Sequence, residues 1–168
     1  MVSGVTASQS ETAYMTRDSV RFPMEQSIGT QIRRTHRLFA QDLQAALAPY
    51  DVPVGMWYFL RVLWEEEGLT QREISDRVGA TAPTSVEQLR NIEARGWIFR
   101  KPSEADRRKL HYHVTEAGRA LEQQLLFYAA EVNKAALAGL TEGEIGFLRL
   151  ALLRIQDNLI RREAARTG

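Results

Sequence analysis

Between Gly96 and Val114 the apolar pattern changes period, and no other feature limits so strongly the folds open to this chain. Before Gly96 the apolar residues recur three and four apart, as on helices. Trp97, Ile98 and Phe99 then form a short apolar run, followed by the polar loop Lys101-Pro-Ser-Glu-Ala-Asp-Arg-Arg-Lys109. Beyond it Leu110, Tyr112 and Val114 alternate with Lys109, His111 and His113, the period of two of a strand. The segment predicts a β-hairpin with a basic tip inside an otherwise helical chain.

The flanking stripes predict six helices. The first, from about Pro23 to Ala48, carries Ile28, Ile32, Thr35, Phe39, Leu43 and Leu47 until Pro49, Asp51 and Pro53 break it. The second, from about Val54 to Glu66, places Trp57, Leu60, Leu63 and Trp64 on one side and stops at Gly68. Thr70 and Glu73 have capping-box spacing and start a short third helix with Ile74 and Val78 inward and Gly79 at its end. Thr81 caps a fourth, with Pro83 in its first turn and Val86, Leu89 and Ile92 as the expected buried stripe.

After the hairpin, Thr115 and Gly118 open a helix through Leu121, Leu125, Tyr128 and Val132. Thr141 and Glu144 repeat the capping-box spacing ahead of the last helix. The reading is mainly α, in the order α-α-α-α-β-β-α-α. Residues 1–22 are an arm outside the fold, 23–50 a dimerisation helix, 51–114 a winged helix-turn-helix, and 115–164 the C-terminal dimerisation helices.

Dimerisation follows from the last helix. Ile145, Leu148, Leu152, Ile155 and Leu159 form an a/d seam too large to leave wet, and two-fold pairing covers it. The alternative is burial of the whole seam within one chain. Two-fold pairing also sets two recognition helices about one DNA turn apart.

Net charge is only +1, so its distribution matters more than its sum. Arg90, Arg95, Arg100, Lys101, Arg107, Arg108 and Lys109 cluster between Gln88 and His113, against Glu93, Glu104 and Asp106. Two short capped helices followed by a basic hairpin suit double-stranded DNA. A helix can present its N-terminal side chains in the major groove, and the loop can reach phosphates or an adjacent minor groove. The recognition face is expected at Thr81, Pro83, Thr84, Ser85 and Gln88, with Gln88 able to read adenine. Serine and threonine at a helix start are also plain caps. Glu87, unexpected beside DNA, is assigned to Arg90 or Arg95 rather than to a cytosine amine.

Gly96-Trp-Ile98, then Asp106-Arg107-Arg108, then Val114-Thr-Glu-Ala-Gly118 resembles the signature of the multiple-antibiotic-resistance regulator (MarR) family, and the likeness runs from about Ile28 to Ile160. Its most specific part is Asp-Arg-Arg followed seven residues on by Thr115. The resemblance implies an obligate dimer with interleaved terminal helices, a palindromic operator, and an anionic aromatic effector that releases the DNA. It assigns Arg107 and Arg108, with Lys109 beside them, to the wing, and Asp106 to holding a wing arginine. It also implies an effector site where the first, second and fifth helices meet. There Arg33, His36, Phe39, Trp57 and Tyr58 would suit an aromatic carboxylate or its thioester, although Trp57 reads equally as core and His36 as surface.

Other classes find less support. No cysteine is present, which removes disulfides, thiolate metal sites and thiol redox sensing. His111 and His113 lie two apart on one strand face, but His36 is the only other histidine, so phosphate contact or simple exposure is expected and no metal. No nucleophile elbow or phosphate loop suggests an enzyme, and no cofactor is expected. No stretch has the roughly 18–20 apolar residues of a membrane span, and the start lacks a signal-peptide pattern. The chain is expected to be a cytoplasmic repressor, associated with the nucleoid when bound to DNA. The alternative is a winged-helix module that contacts protein instead of DNA.

Overall fold

The computed structural model describes residues 22–103, 106 and 108–168. They divide into two compact units, one up to His36 and one from Arg37 onward. The first contains a 3-10 turn, Met24–Gln26, and the start of α1 (Ile28–Leu47), where Ser27 Oγ accepts from the Thr30 amide at 3.2 Å. Phe22, Met24 and Ile28 are exposed. The expected helix start at Pro23 is thus this turn and a serine cap. Residues 1–21, most of the expected arm, lie outside the described residues.

In the second unit, α1 ends with Leu43 and Leu47 buried, and a 3-10 turn (Ala48–Tyr50) leads to α2 (Val54–Glu65). Pro49 and Pro53 separate these pieces because neither supplies a backbone N–H. The Val54 amide donates to Gln44 Oε1 at 2.8 Å, which satisfies one orphan donor at the start of α2. Six residues of α2 are buried, Met56, Trp57, Phe59, Leu60, Leu63 and Trp64, which makes it the central helix of the core. Each such side chain stabilises the fold by roughly 1.5–3 kcal/mol.

α3 (Gln71–Val78) starts with a complete capping box: Thr70 Oγ1 accepts the Glu73 amide, and Glu73 Oε2 takes the Thr70 amide at 2.7 Å. The Thr70 hydroxyl and then its amide hold the Glu73 carboxyl below its ordinary value. α4 (Ala82–Ala94) follows, capped by Thr81. Its buried stripe is Ser85, Leu89 and Ile92, while Val86 is 50% exposed. Leu89 and Ile92 are thus buried as expected, and only Val86 is not: Ser85, four residues before Leu89, takes its place on the buried face.

The hairpin, β2 (Ile98–Pro102) and β3 (Leu110–Val114), runs antiparallel from Ile98 opposite Val114 to Pro102 opposite Leu110. A third strand, β1 (Leu69–Thr70), pairs with the other edge of β3, so the order is β1-β3-β2. Two residues are too few to show a period, which is why the sequence predicts only two strands.

α5 (Glu116–Ala136) is capped by Thr115, whose side chain accepts the Gly118 amide at 3.1 Å and donates to Gly96 O at 2.6 Å. A Cβ at Gly118 would stand 2.1 Å from Trp97 O, so this turn of α5 touches backbone that only glycine can approach. Trp64 Nε1 donates to Gly118 O at 3.1 Å across the same contact. α6 (Glu142–Thr167) begins with the expected Thr141–Glu144 capping box and has no buried residue. No helix of the described residues is long and apolar enough to cross a membrane.

Candidate nucleic-acid interface and effector cavity

The exposed start of α4 offers Thr81, Pro83 and Thr84. Thr81 Oγ1 accepts the Thr84 amide and lies 2.9 Å from Thr84 Oγ1, so each hydroxyl also serves the cap. Two expected readers do not stand on that surface. Ser85 is fully buried, and its hydroxyl donates to Thr81 O at 3.1 Å. Gln88 is half-buried, with Oε1 enclosed, near Gly55 of α2, and without a hydrogen-bond partner among the described residues. Both residues fall on the side of α4 that turns to the core. Arg95 is not a partner for Glu87: it donates to Asp51 O at 2.6 Å and Asp51 Oδ2 at 2.9 Å, and lies over the Trp97 ring at 5.0 Å.

At the hairpin, Asp106 Oδ1 accepts from the Arg108 amide at 3.1 Å and from Arg108 Nε at 3.3 Å. The Arg108 side chain remains 93% exposed. The bond to Asp106 aims the guanidinium without covering it. Arg107 lies outside the described residues. Arg108 and Lys109 meet Arg72, from the first turn of α3, and Arg100, from β2, around a groove of about 350 Å³ that also includes Thr70 and Tyr112. Glu93 of α4 pairs with Arg100 at 3.2 Å. Arg72 is an addition to the expected cations; only the pairing of β1 with β3 brings the start of α3 to the hairpin.

The histidines divide. His111 is opposite Thr70 in the register, whereas His113 is mostly enclosed against Glu67 and Phe99 rather than exposed or available to phosphate. Among the described residues no cluster of three metal-ligating groups occurs.

A cavity of about 430 Å³ opens between the end of α1, α2 and α5. Phe39, Trp57 and Tyr58 line it, as the sequence leads one to expect, but its cation is Arg61, with Asn133 as a further polar group. Arg33 and His36 are not in its lining and belong to the other unit. Arg61 pairs with Glu65 one turn on. Burial pushes the Tyr58 phenol up, so it is a neutral hydrogen-bonding group at neutral pH. Beside the cavity Tyr50 donates to or accepts from Tyr128 at 2.9 Å, joining the 3-10 turn after α1 to α5. The sequence hides Arg61 because one charged residue on an apolar helix reads as solvent-facing.

A sequence model of the MarR family matches residues 50–109, the stretch from the end of the first helix to the wing. The HTH-type transcriptional regulator YwoH of Bacillus subtilis is 30% identical over 93 residues, which cover 55% of this chain and 68% of that protein. The chain belongs to the MarR family. A second relative of this MarR-family chain, the HTH-type transcriptional regulator TtmR of Methylorubrum extorquens, is 31% identical over 87 residues. That match covers 52% of this chain and 45% of TtmR, so the chain spans less than half of that relative's length.

The fold agrees. A MarR transcriptional regulator from Methanosarcina mazei Go1 superposes with a TM-score of 0.74 at 24% identity, covering 80% of this chain and 96% of that one. MarR from E. coli, in a complex of a mutant with operator DNA, gives 0.70 at 20% identity over 76% and 91%. CouR from Rhodococcus jostii RHA1, bound to p-coumaroyl-CoA, gives 0.72 at 23% identity over 79% and 94%.

Proposed function

We propose that this MarR-family chain is a homodimeric repressor that binds a palindromic operator and leaves it when a small aromatic carboxylate, or its thioester, occupies the cavity. The observation that carries DNA binding is the gathering of Arg72, Arg100, Arg108 and Lys109 around one groove at the wing. Three acids pair with members of this group, Asp76 with Arg72, Glu93 with Arg100 and Asp106 with Arg108, and the Arg72 and Arg108 side chains stay more than nine-tenths exposed. A duplex phosphate backbone complements such a surface. The relative with operator DNA supports the same reading.

Dimerisation is supported by α6. Leu148 and Leu159 of the expected seam are exposed, and Ile145, Leu152 and Ile155 are only half-buried. A second stripe, Phe147, Leu150, Leu153 and Ile160, is more than half exposed on the other side. One long helix with apolar residues on both sides is stable in water only when another chain covers it.

The deciding measurement is anisotropy of a labelled duplex from the DNA flanking the gene, across a salt series. Binding is expected to weaken steeply with salt, and Arg108→Ala to cost about 1–3 kcal/mol. Salt-insensitive or absent binding to selected duplexes would favour the hairpin as a protein-contact element instead.

The effector reading rests on the 430 Å³ cavity, within the range of small-molecule sites, with aromatic walls and one guanidinium. CouR bound to p-coumaroyl-CoA supports this ligand class. Benzoate- and cinnamate-type acids are expected to quench Trp57 and to release the duplex. Arg61→Gln should weaken them about 10-fold or more, the range of a lost charge-assisted hydrogen bond. Equal binding by the variant would remove Arg61 from the site.

A further inference from the structure

Away from the groove and the cavity, the most connected polar cluster of the described residues is built on Glu67, in the loop between α2 and β1. One carboxylate oxygen takes the Arg119 guanidinium from the first turns of α5. The other accepts the Val114 amide at 3.3 Å, where β3 ends, and faces His113 Nδ1 at 3.4 Å. Arg119 also reaches Glu122 at 3.1 Å, which fixes its guanidinium between two acids. His113 stacks on Phe99 of β2, with centroids 5.4 Å apart and planes 27° apart. Its Nε2 is buried and has no partner among the described residues. One carboxylate therefore joins the end of α2, the exit of the hairpin and the start of α5.

We infer that Glu67, acting through Arg119 and His113, is a positioning residue that sets the wing hairpin against α5 and so presents the wing cations to DNA. The inference rests on the DNA-binding reading above. An isolated surface ion pair would contribute little. Glu67 differs because it is about two-thirds enclosed and engages main chain, a guanidinium and an imidazole together. Remove its charge and the hairpin exit and α5 lose their only shared partner in this cluster.

The geometry also makes the clasp proton-sensitive. Burial, then Lys101 and His111, hold the His113 imidazole below its ordinary value of 6.5. The charged groups around it are Glu67, Lys101 of β2, His111 of β3, and Arg119 with Glu122 of α5. A protonated His113 would be enclosed and repelled by Lys101 and His111, and the Glu67 oxygen that faces it already holds the Val114 amide. The folded pKa lies below the unfolded one, so the stabilisation is complete above about pH 6.5 and declines as pH falls toward the folded value. Acidification should loosen the clasp.

The test measures duplex affinity of the full chain at constant ionic strength from about pH 7.5 to 5.5, for the wild type, Glu67→Gln, His113→Phe and Arg108→Ala. Glu67→Gln should lose about 5- to 30-fold at the higher pH, with circular dichroism and oligomeric mass unchanged. His113→Phe keeps an aromatic ring on Phe99 and removes the titration. Its affinity relative to wild type should rise about threefold or more on acidification. A constant ratio, or Glu67→Gln indistinguishable from wild type while Arg108→Ala binds poorly, overturns the clasp and leaves DNA binding standing. If Glu67→Gln does not fold, the His113→Phe ratio decides alone. If neither Arg108→Ala nor salt affects binding, the DNA-binding reading itself fails.

Discussion

The lobe from α2 to β3 and the helix α6 obey opposite rules. α2 buries six side chains and leads a core that also takes in Ile74, Leu89, Ile92, Ile98 and Tyr112. α6 is more than twice as long as α2 and buries nothing. Its capping box matches that of α3, so local signals do not separate the two regions. The lobe finds its partners within one chain, whereas the described residues leave the apolar stripes of α6 exposed or half-buried. The contrast teaches that local signals can specify a helix fully without supplying the surface that would cover it.

The sharpest way to break this contrast is Leu152→Glu, in the middle of the α6 seam. If a second copy covers it, sedimentation should show monomer, and duplex affinity should fall about 100-fold or more because two linked half-sites become one. The lobe should keep its ellipticity. A dimer that persists with unchanged affinity would sink the pairing proposed for this face.

Gly118→Ala attacks the lobe instead. The added Cβ would stand 2.1 Å from Trp97 O and 2.7 Å from Val114 Cγ1, so backbone must move. A loss of about 1–3 kcal/mol is expected, a fall in Tm of roughly 2–12 °C in thermal melts. An unshifted melt would show that this contact yields easily. The smallest effect compares the two capping boxes. Thr70→Ala should cost about 1 kcal/mol in global unfolding. Thr141→Ala should cost a similar amount only when protein concentration is high enough to hold the dimer.

Much of the fold was legible because its signals are local. Thr70, Thr81, Thr115 and Thr141 all cap the helices they announce, and Gly79 and Gly96 take positive φ where α3 and α4 end, whereas Gly68 does so two residues past the Glu66 cap of α2, beside β1. The switch to period two at Trp97 marks the hairpin. The interface was legible in part. Arg108 and Lys109 are exposed at the wing, but Ser85 and Gln88 turn toward the core, and Arg33 and His36 are not in the cavity lining. In the first turns of α4, alanine, proline, threonine and serine alternate with little contrast in polarity, so Leu89 and Ile92 mark the buried face but nothing nearby shows that Ser85 and Gln88 join it. The neighbours that decide it lie on α2, α3 and β2.

The sequence by itself determined the element types, their caps and breaks, and the concentration of positive charge in the wing, because each depends on residues a few positions apart. Tertiary structure alone decided that β1 joins the sheet and brings Arg72 to the wing, and that Arg61 is the cation of the cavity. It alone decided that Glu67 meets residues 47 and 52 positions away. Those contacts depend on how separate surfaces meet, and no local period encodes that.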